Sequence, residues 1–147
     1  MRFMIIVRAT ASSEAGIMPP ADDPLMADMA RYHEGLAKAG VLLDGNGLKP
    51  SREGWRQRYQ NGQAQLMDGP FAETKELIAG YTLIQVRSRA EAMEWARRFP
   101  APFGRQGDGG EIEVRQLYEL DDFTPGPALD QMKAIEAQQA SQSAGAA

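Results

Sequence analysis

Asp68-Gly69-Pro70-Phe71-Ala72-Glu73-Thr74-Lys75-Glu76-Leu77-Ile78-Ala79-Gly80-Tyr81 holds a tight turn, an aromatic ring, three charged side chains and the start of an apolar strand. No other window of the chain carries as much chemistry. Asp, Gly and Pro in succession form a turn: Asp bonds nearby amides, Gly accepts any φ and Pro ends strand pairing. After it, Ala79 to Val86 alternates as a strand, with Tyr81, Leu83 and Gln85 on one side and Thr82, Ile84 and Val86 on the other.

Working outward, Trp55 to Tyr59 alternates aromatic and charged residues, and Asn61-Gly62 predicts a hairpin returning through Ala64 to Met67. Val41-Leu42-Leu43 reads as a short strand and Asp44-Gly45-Asn46-Gly47 as a flexible break after it. Upstream, Asp23 offers an N-cap oxygen and Pro24 a preset first helical residue. The helix they open has its apolar stripe at Leu25, Met26, Met29, Ala30, His33, Leu36 and Ala37 and ends at Gly40 as a left-handed cap. Arg2 to Arg8 is a buried strand, and Ala9 to Pro20 a loop able to cover something. Downstream, Ser88 and Glu91 have capping-box spacing for a helix that turns Ala92, Met93, Ala96 and Phe99 inward until Pro100. A Pro- and Gly-rich loop to Gly110 precedes a last strand, Glu111 to Tyr118.

The order β-α-β, hairpin, β-α-β predicts an α+β ferredoxin-like sandwich with both helices on one face of an antiparallel sheet. The other face is too apolar for water, so a homodimer through that face is expected. Two regions follow: a domain over residues 1–123, and a weakly helical to disordered tail over 124–147 beyond Pro125-Gly126-Pro127.

The run Asp68 to Glu76 resembles the signature of the YCII-related proteins, in the branch named for its Asp-Gly-Pro-Phe motif. Ala39 to Leu43 with Gly45, Gly47 and Leu48, and Glu91 to Trp95 with Pro100, match in the same order, so the resemblance covers Arg2 to Phe123. It implies a dimeric α+β barrel. It also implies a His-Asp pair with the His on the first helix. Counting back from Ala39-Gly40, Met29 holds that position here and His33 lies one turn later.

The chain's 147 residues, without cysteine and with a net charge of −4, bound its function. A core can form without staples, and thiolate chemistry, disulfides and cysteine-based metal sites are excluded. No basic face offers itself to nucleic acid; Arg97-Arg98 sits at a helix end, where it favours the dipole. No apolar run approaches a membrane span, and Phe3 to Val7 is too short for a signal peptide, so a cytoplasmic protein is the expectation. With one His and scattered carboxylates, no metal site and no cofactor are expected.

The candidate site residues are few. Asp68 and His33 are the proton-transfer candidates: the first on a turn at a cleft mouth, the second a partly desolvated imidazole on an apolar helix face. Arg8, Phe71, Glu73, Lys75 and Tyr81 are candidate ligand contacts, with Lys75 and Arg8 suited to an anionic substrate. Each has a plainer reading. Asp68 forms the turn, Glu73 and Lys75 make a solvated ion pair, and His33 bonds a core carbonyl. The functional expectation is a cleft for a small organic acid or phenol, with cofactor-free elimination or hydrolysis if the protein is an enzyme. Its rivals are a non-catalytic binding or regulatory module and a purely structural dimer.

Overall fold

The computed structural model describes residues 1–72, 76–103 and 109–145 and forms two compact units, Met1–Gln116 and Leu117–Ala147. The first runs β1 (Arg2–Arg8), α1 (Ala11–Ala15), α2 (Pro24–Lys38), β2 (Leu42–Gly47), β3 (Trp55–Gln60), β4 (Gln63–Asp68), β5 (Ile78–Gln85), α3 (Arg89–Arg97) and β6 (Ile112–Gln116), with a 3-10 turn at Ser51–Glu53 before β3. The second holds a 3-10 turn at Leu120–Asp122 and α4 (Pro127–Gly145). There Lys133 Nζ donates to Asp121 Oδ1 at 2.6 Å, and Tyr118 meets Phe123 ring to ring.

The main sheet has the order β2-β5-β1-β6, with every neighbouring pair antiparallel. This is the ferredoxin-like α+β arrangement: β1-α2-β2 and β5-α3-β6 are two split units that interleave. β3 and β4 form a separate ribbon, closed by Asn61 and Gly62, both at positive φ, as an Asn-Gly hairpin requires.

Register sorts the two faces of the sheet. Phe3, Ile5 and Ile84 point to the helices and pack with Tyr32 and Leu36 of α2 and Ala92 of α3, joined by the partly buried Trp95 and Phe99. On the opposite face Met4 pairs with Leu83 and Ile6 with Tyr81, bordered by Arg2, Gln85, Glu113 and Arg115.

Four local expectations are corrected. Asp44 to Gly47 is no break. The four residues continue β2 along β5, after a register shift between Leu42 and Asp44. Glycines conceal the strand because they lower its propensity, yet they are what let it form. A Cβ on Gly80 of β5 would lie 2.8 Å from the Asn46 carbonyl oxygen. The loop from Ala9 contains α1, opened by a capping box in which Thr10 Oγ1 accepts from Ser13 N and Ser13 Oγ accepts from Thr10 N.

On α2 the buried positions are Tyr32 and Leu36, whereas Ala30 and Ala37 are exposed. Tyr32 is admitted to the core because its hydroxyl donates to the Trp95 carbonyl at 3.0 Å while its ring meets Trp95 and Phe99 edge-on. On α3, Met93 is exposed and Trp95 packs inward in its place.

Starts and stops behave as local chemistry dictates. Asp23 Oδ1 accepts from Leu25 N at 2.8 Å, and Gly40 follows α2 at φ 70°. Ser88 Oγ accepts from Glu91 N. The Glu91 carboxylate accepts from Arg87 N, one residue before the cap.

Candidate ligand cleft

A cleft of about 810 Å³ lies between α2, the segment carrying α1, and the β2–β5 part of the sheet. Its volume is that of a small-molecule site. Val7, Ile17, Met18, Leu25, Met26 and Met29 give it an apolar wall; His33, Thr82 and Arg52 are polar lining residues.

His33 is half-buried, and both ring nitrogens are engaged. Nδ1 lies 2.9 Å from the Met29 carbonyl oxygen and Nε2 3.0 Å from Thr82 Oγ1. A carbonyl only accepts, so Nδ1 carries the proton of the neutral ring. Nε2 keeps its lone pair, and the Thr82 hydroxyl donates to it. Gly45 makes room for this contact, since a Cβ there would lie 3.0 Å from Nε2 and 3.7 Å from Thr82 Oγ1. Among the described residues no carboxylate bonds the ring.

At the sheet margin Asp44 Oδ2 accepts from the Tyr81 hydroxyl at 2.8 Å, and Asp44 Oδ1 accepts from Gly45 N and Asn46 Nδ2. The Tyr81 hydroxyl, followed by the Gly45 amide, holds the Asp44 carboxyl below its ordinary pKa. Tyr81 and Asn46 border the cleft at this margin, the Tyr81 side chain lying on the sheet face away from α2.

The other expected residues sit elsewhere. Asp68 is exposed at the end of β4, opposite Trp55, and is not among the residues lining the cleft. His33 and Asp68 share no hydrogen bond, so the proton-transfer candidates are not brought together. Arg8 donates through Nη2 to Glu113 Oε2 at 2.5 Å, a strand-end ion pair. The Phe71 ring lies beneath the Arg56 guanidinium, 4.0 Å from centroid to Cζ. Glu73 and Lys75 lie outside the described residues.

The turn that follows Asp68 packs against the Ser51–Glu53 turn. Gly69 packs so closely on the Ser51–Glu53 turn that a Cβ would fall 1.8 Å from the Ser51 carbonyl oxygen. Its amide donates to Gly54 O at 2.9 Å, and the Phe71 amide to Ser51 Oγ at 3.1 Å.

A family model described as the YCII-related domain matches residues 1–121. The chain belongs to the YCII-related family. An uncharacterised protein of Rhizobium meliloti (strain 1021) is 37% identical over 96 residues, covering 65% of this chain and 75% of its own. A solved structure, 5-chloro-2-hydroxyhydroquinone dehydrochlorinase (TftG) from Burkholderia phenoliruptrix AC1100 in complex with 2,5-dihydroxybenzoquinone, is similar at TM-score 0.43 and 15% identity. It covers 81% of this chain and 95% of that one.

In this YCII-related protein a second groove of about 1270 Å³ runs between α2 and α3. Its charged side chains pair locally, Arg31 with Asp28 and Arg98 with Glu94. Burial pushes the Tyr32 phenol at its floor up to about 12, against the opposing charge of Arg98. Among the described residues no group of three or more His, Asp or Glu side chains is placed to hold a metal ion, and no helix is long and apolar enough to cross a membrane.

Sequence reasoning missed Thr82, Asp44, Asn46 and Gly45. Only Gly45 left a trace, as a glycine inside what proves to be a strand, which often marks close approach of another group.

Proposed function

We propose that this YCII-related protein binds a small organic acid or phenol in the α2–sheet cleft. His33 and Thr82 supply the polar contact, and Met18, Met26 and Met29 an adaptable apolar wall. The observation that carries the reading is the lone imidazole in an apolar cleft, its Nδ1 pinned by a carbonyl and its Nε2 shared with one hydroxyl. Met side chains fill irregular gaps and favour aromatic rings. A ring with one polar end matches this lining.

Cofactor-free acid–base chemistry, elimination or hydrolysis, is the finer reading. It is supported by the Nδ1 bond, which keeps the lone pair at Nε2, where a substrate hydroxyl in place of Thr82 delivers its proton. Asp68 enters this reading only from outside the cleft lining.

The test is a titration with benzoate and phenol, followed by NMR of the His33 ring and the Met26 and Met29 methyls. Saturable shifts at these groups are expected. Their absence at millimolar probe overturns the reading. Catalysis on any substrate so found requires a limb in the pH profile that His33→Gln removes; a profile unchanged in that variant leaves binding alone.

The sheet face bearing Met4, Ile6, Tyr81 and Leu83 supports a two-fold dimer burying more than roughly 1,000 Å². Leu83→Glu then yields monomers in sedimentation. Monomeric wild-type protein at micromolar concentration refutes the dimer.

A further inference from the structure

We infer that α1 is a lid on the cleft and that the Asp68–Phe71 turn, acting through Ser51, is the latch that holds it shut. The inference rests on the binding reading only in taking this cleft as the place a ligand enters.

The segment after β1 forms one wall of the cleft through Ser12, Ser13, Gly16, Ile17 and Met18. Its helix buries no residue, so apolar packing contributes little to holding it down. Polar contacts do the holding. The Glu14 carboxylate accepts from Ser51 N at 3.1 and 3.2 Å and from Ser51 Oγ at 2.5 Å, and Arg52 Nη1 donates to the Glu14 carbonyl at 3.0 Å. An element docked by a few bonds to one carboxylate opens locally while the sheet stays intact.

The far side of Ser51 belongs to the turn. Ser51 Oγ gives its proton to Glu14 and accepts from the Phe71 amide at 3.1 Å, so one hydroxyl joins the lid to the signature. Gly69 lies against the Ser51 carbonyl where no side chain fits. The lid's ends suit a hinge. Ala9 is fixed by its amide to Leu77 O at 2.9 Å, while Gly16 at φ 76° and Pro19-Pro20 form the swinging side. The turn thus governs access to His33 from outside the cleft.

The chain's one histidine provides the readout, because diethyl pyrocarbonate acylates an imidazole nitrogen and His33 is half-buried in the cleft that the α1 segment walls. Glu14→Ala keeps helix propensity and deletes the carboxylate. It should raise the rate of His33 acylation by about tenfold, the factor that losing one charge-assisted hydrogen bond brings to an opening equilibrium. Ser51→Ala, which keeps the Ser51 amide bond to Glu14, should raise it less, and the double variant no more than Glu14→Ala alone. Glu53→Gln removes the Lys49–Glu53 pair on the same wall and should leave the rate unchanged.

Amide exchange should quicken at Glu14, Gly16 and Ile17 and stay slow in β1 and β5. Wild-type acylation rates in both Glu14→Ala and Ser51→Ala, an equal rise in Glu53→Gln, or exchange quickened throughout the sheet overturns the latch. No ligand is used, so failure here leaves the binding reading standing, and the benzoate and phenol titration fails independently of the latch.

Discussion

Replacing Thr82 by valine removes one hydroxyl from a side chain only 2% exposed and leaves its shape nearly unchanged. Packing alone predicts a neutral or slightly stabilising change, because a methyl is easier to bury than a hydroxyl. The hydrogen bond predicts the opposite, since His33 Nε2 loses the donor 3.0 Å away. A buried acceptor left unpaired costs about 1–3 kcal/mol. His33 is only half-buried and borders the cleft, so water recovers part of that, and the net loss expected is about 1 kcal/mol. For a chain of this size that corresponds to a fall in Tm of roughly 2–4 °C. Urea denaturation of Thr82→Val, His33→Ala and the double variant measures the pair directly. A coupling energy of about 0.5–1.5 kcal/mol is expected for residues in contact. A Thr82→Val protein as stable as its parent, with no coupling to His33, refutes the hydrogen bond assigned between the Thr82 hydroxyl and His33 Nε2.

Three further outcomes follow from the same geometry. Burial raises the Tyr32 phenol to about 12, so its stabilising contribution is complete below the unfolded value of about 10 and is lost as pH rises towards the folded one; alkaline denaturation should show this limb and Tyr32→Phe should lack it. Gly69→Ala should cost about 1–3 kcal/mol by forcing backbone apart, whereas Gly54→Ala, whose Cβ would lie an ordinary 3.6 Å from Ser51 O, should stay within about 0.5 kcal/mol in denaturant melts. Tyr81→Phe should move the Asp44 titration upward in NMR, because the phenol is the chief group holding that carboxyl low; the stability Asp44 contributes is present above the ordinary carboxylate range and is lost as pH falls through its lowered value.

Much of the architecture was written locally. The β-branched run of β1, the Asp23-Pro24 start of α2, the Ser88 cap and the Asn61-Gly62 hairpin were all legible. Each is decided by bonds between residues two to four apart or by the φ preference of a single residue. The two interleaved βαβ units, and hence the sheet order, follow from the order of those elements. His33 could likewise be placed on an apolar helix face from its spacing to Met29 and Leu36.

The partners in the site were decided by tertiary structure. Thr82 is 49 residues from His33, Ser51 is 37 from Glu14, and Tyr81 is 37 from Asp44. No periodicity links such pairs, and only the docking of α2 on β5, of β2 along β5 and of α1 onto the Ser51 turn brings them within bonding distance. Helix α1 and the glycine-bearing half of β2 were missed for the same reason. The glycines of β2 favour turns, and the strand is held by the bare Gly80 backbone beside it; α1 carries a local signal in its Thr10–Ser13 box but is only five residues long and is docked by Ser51. Local propensity is a sum over near neighbours. The packing of Gly69 and Phe71 on Ser51 depends on a glycine-sized gap that exists only once the chain has folded.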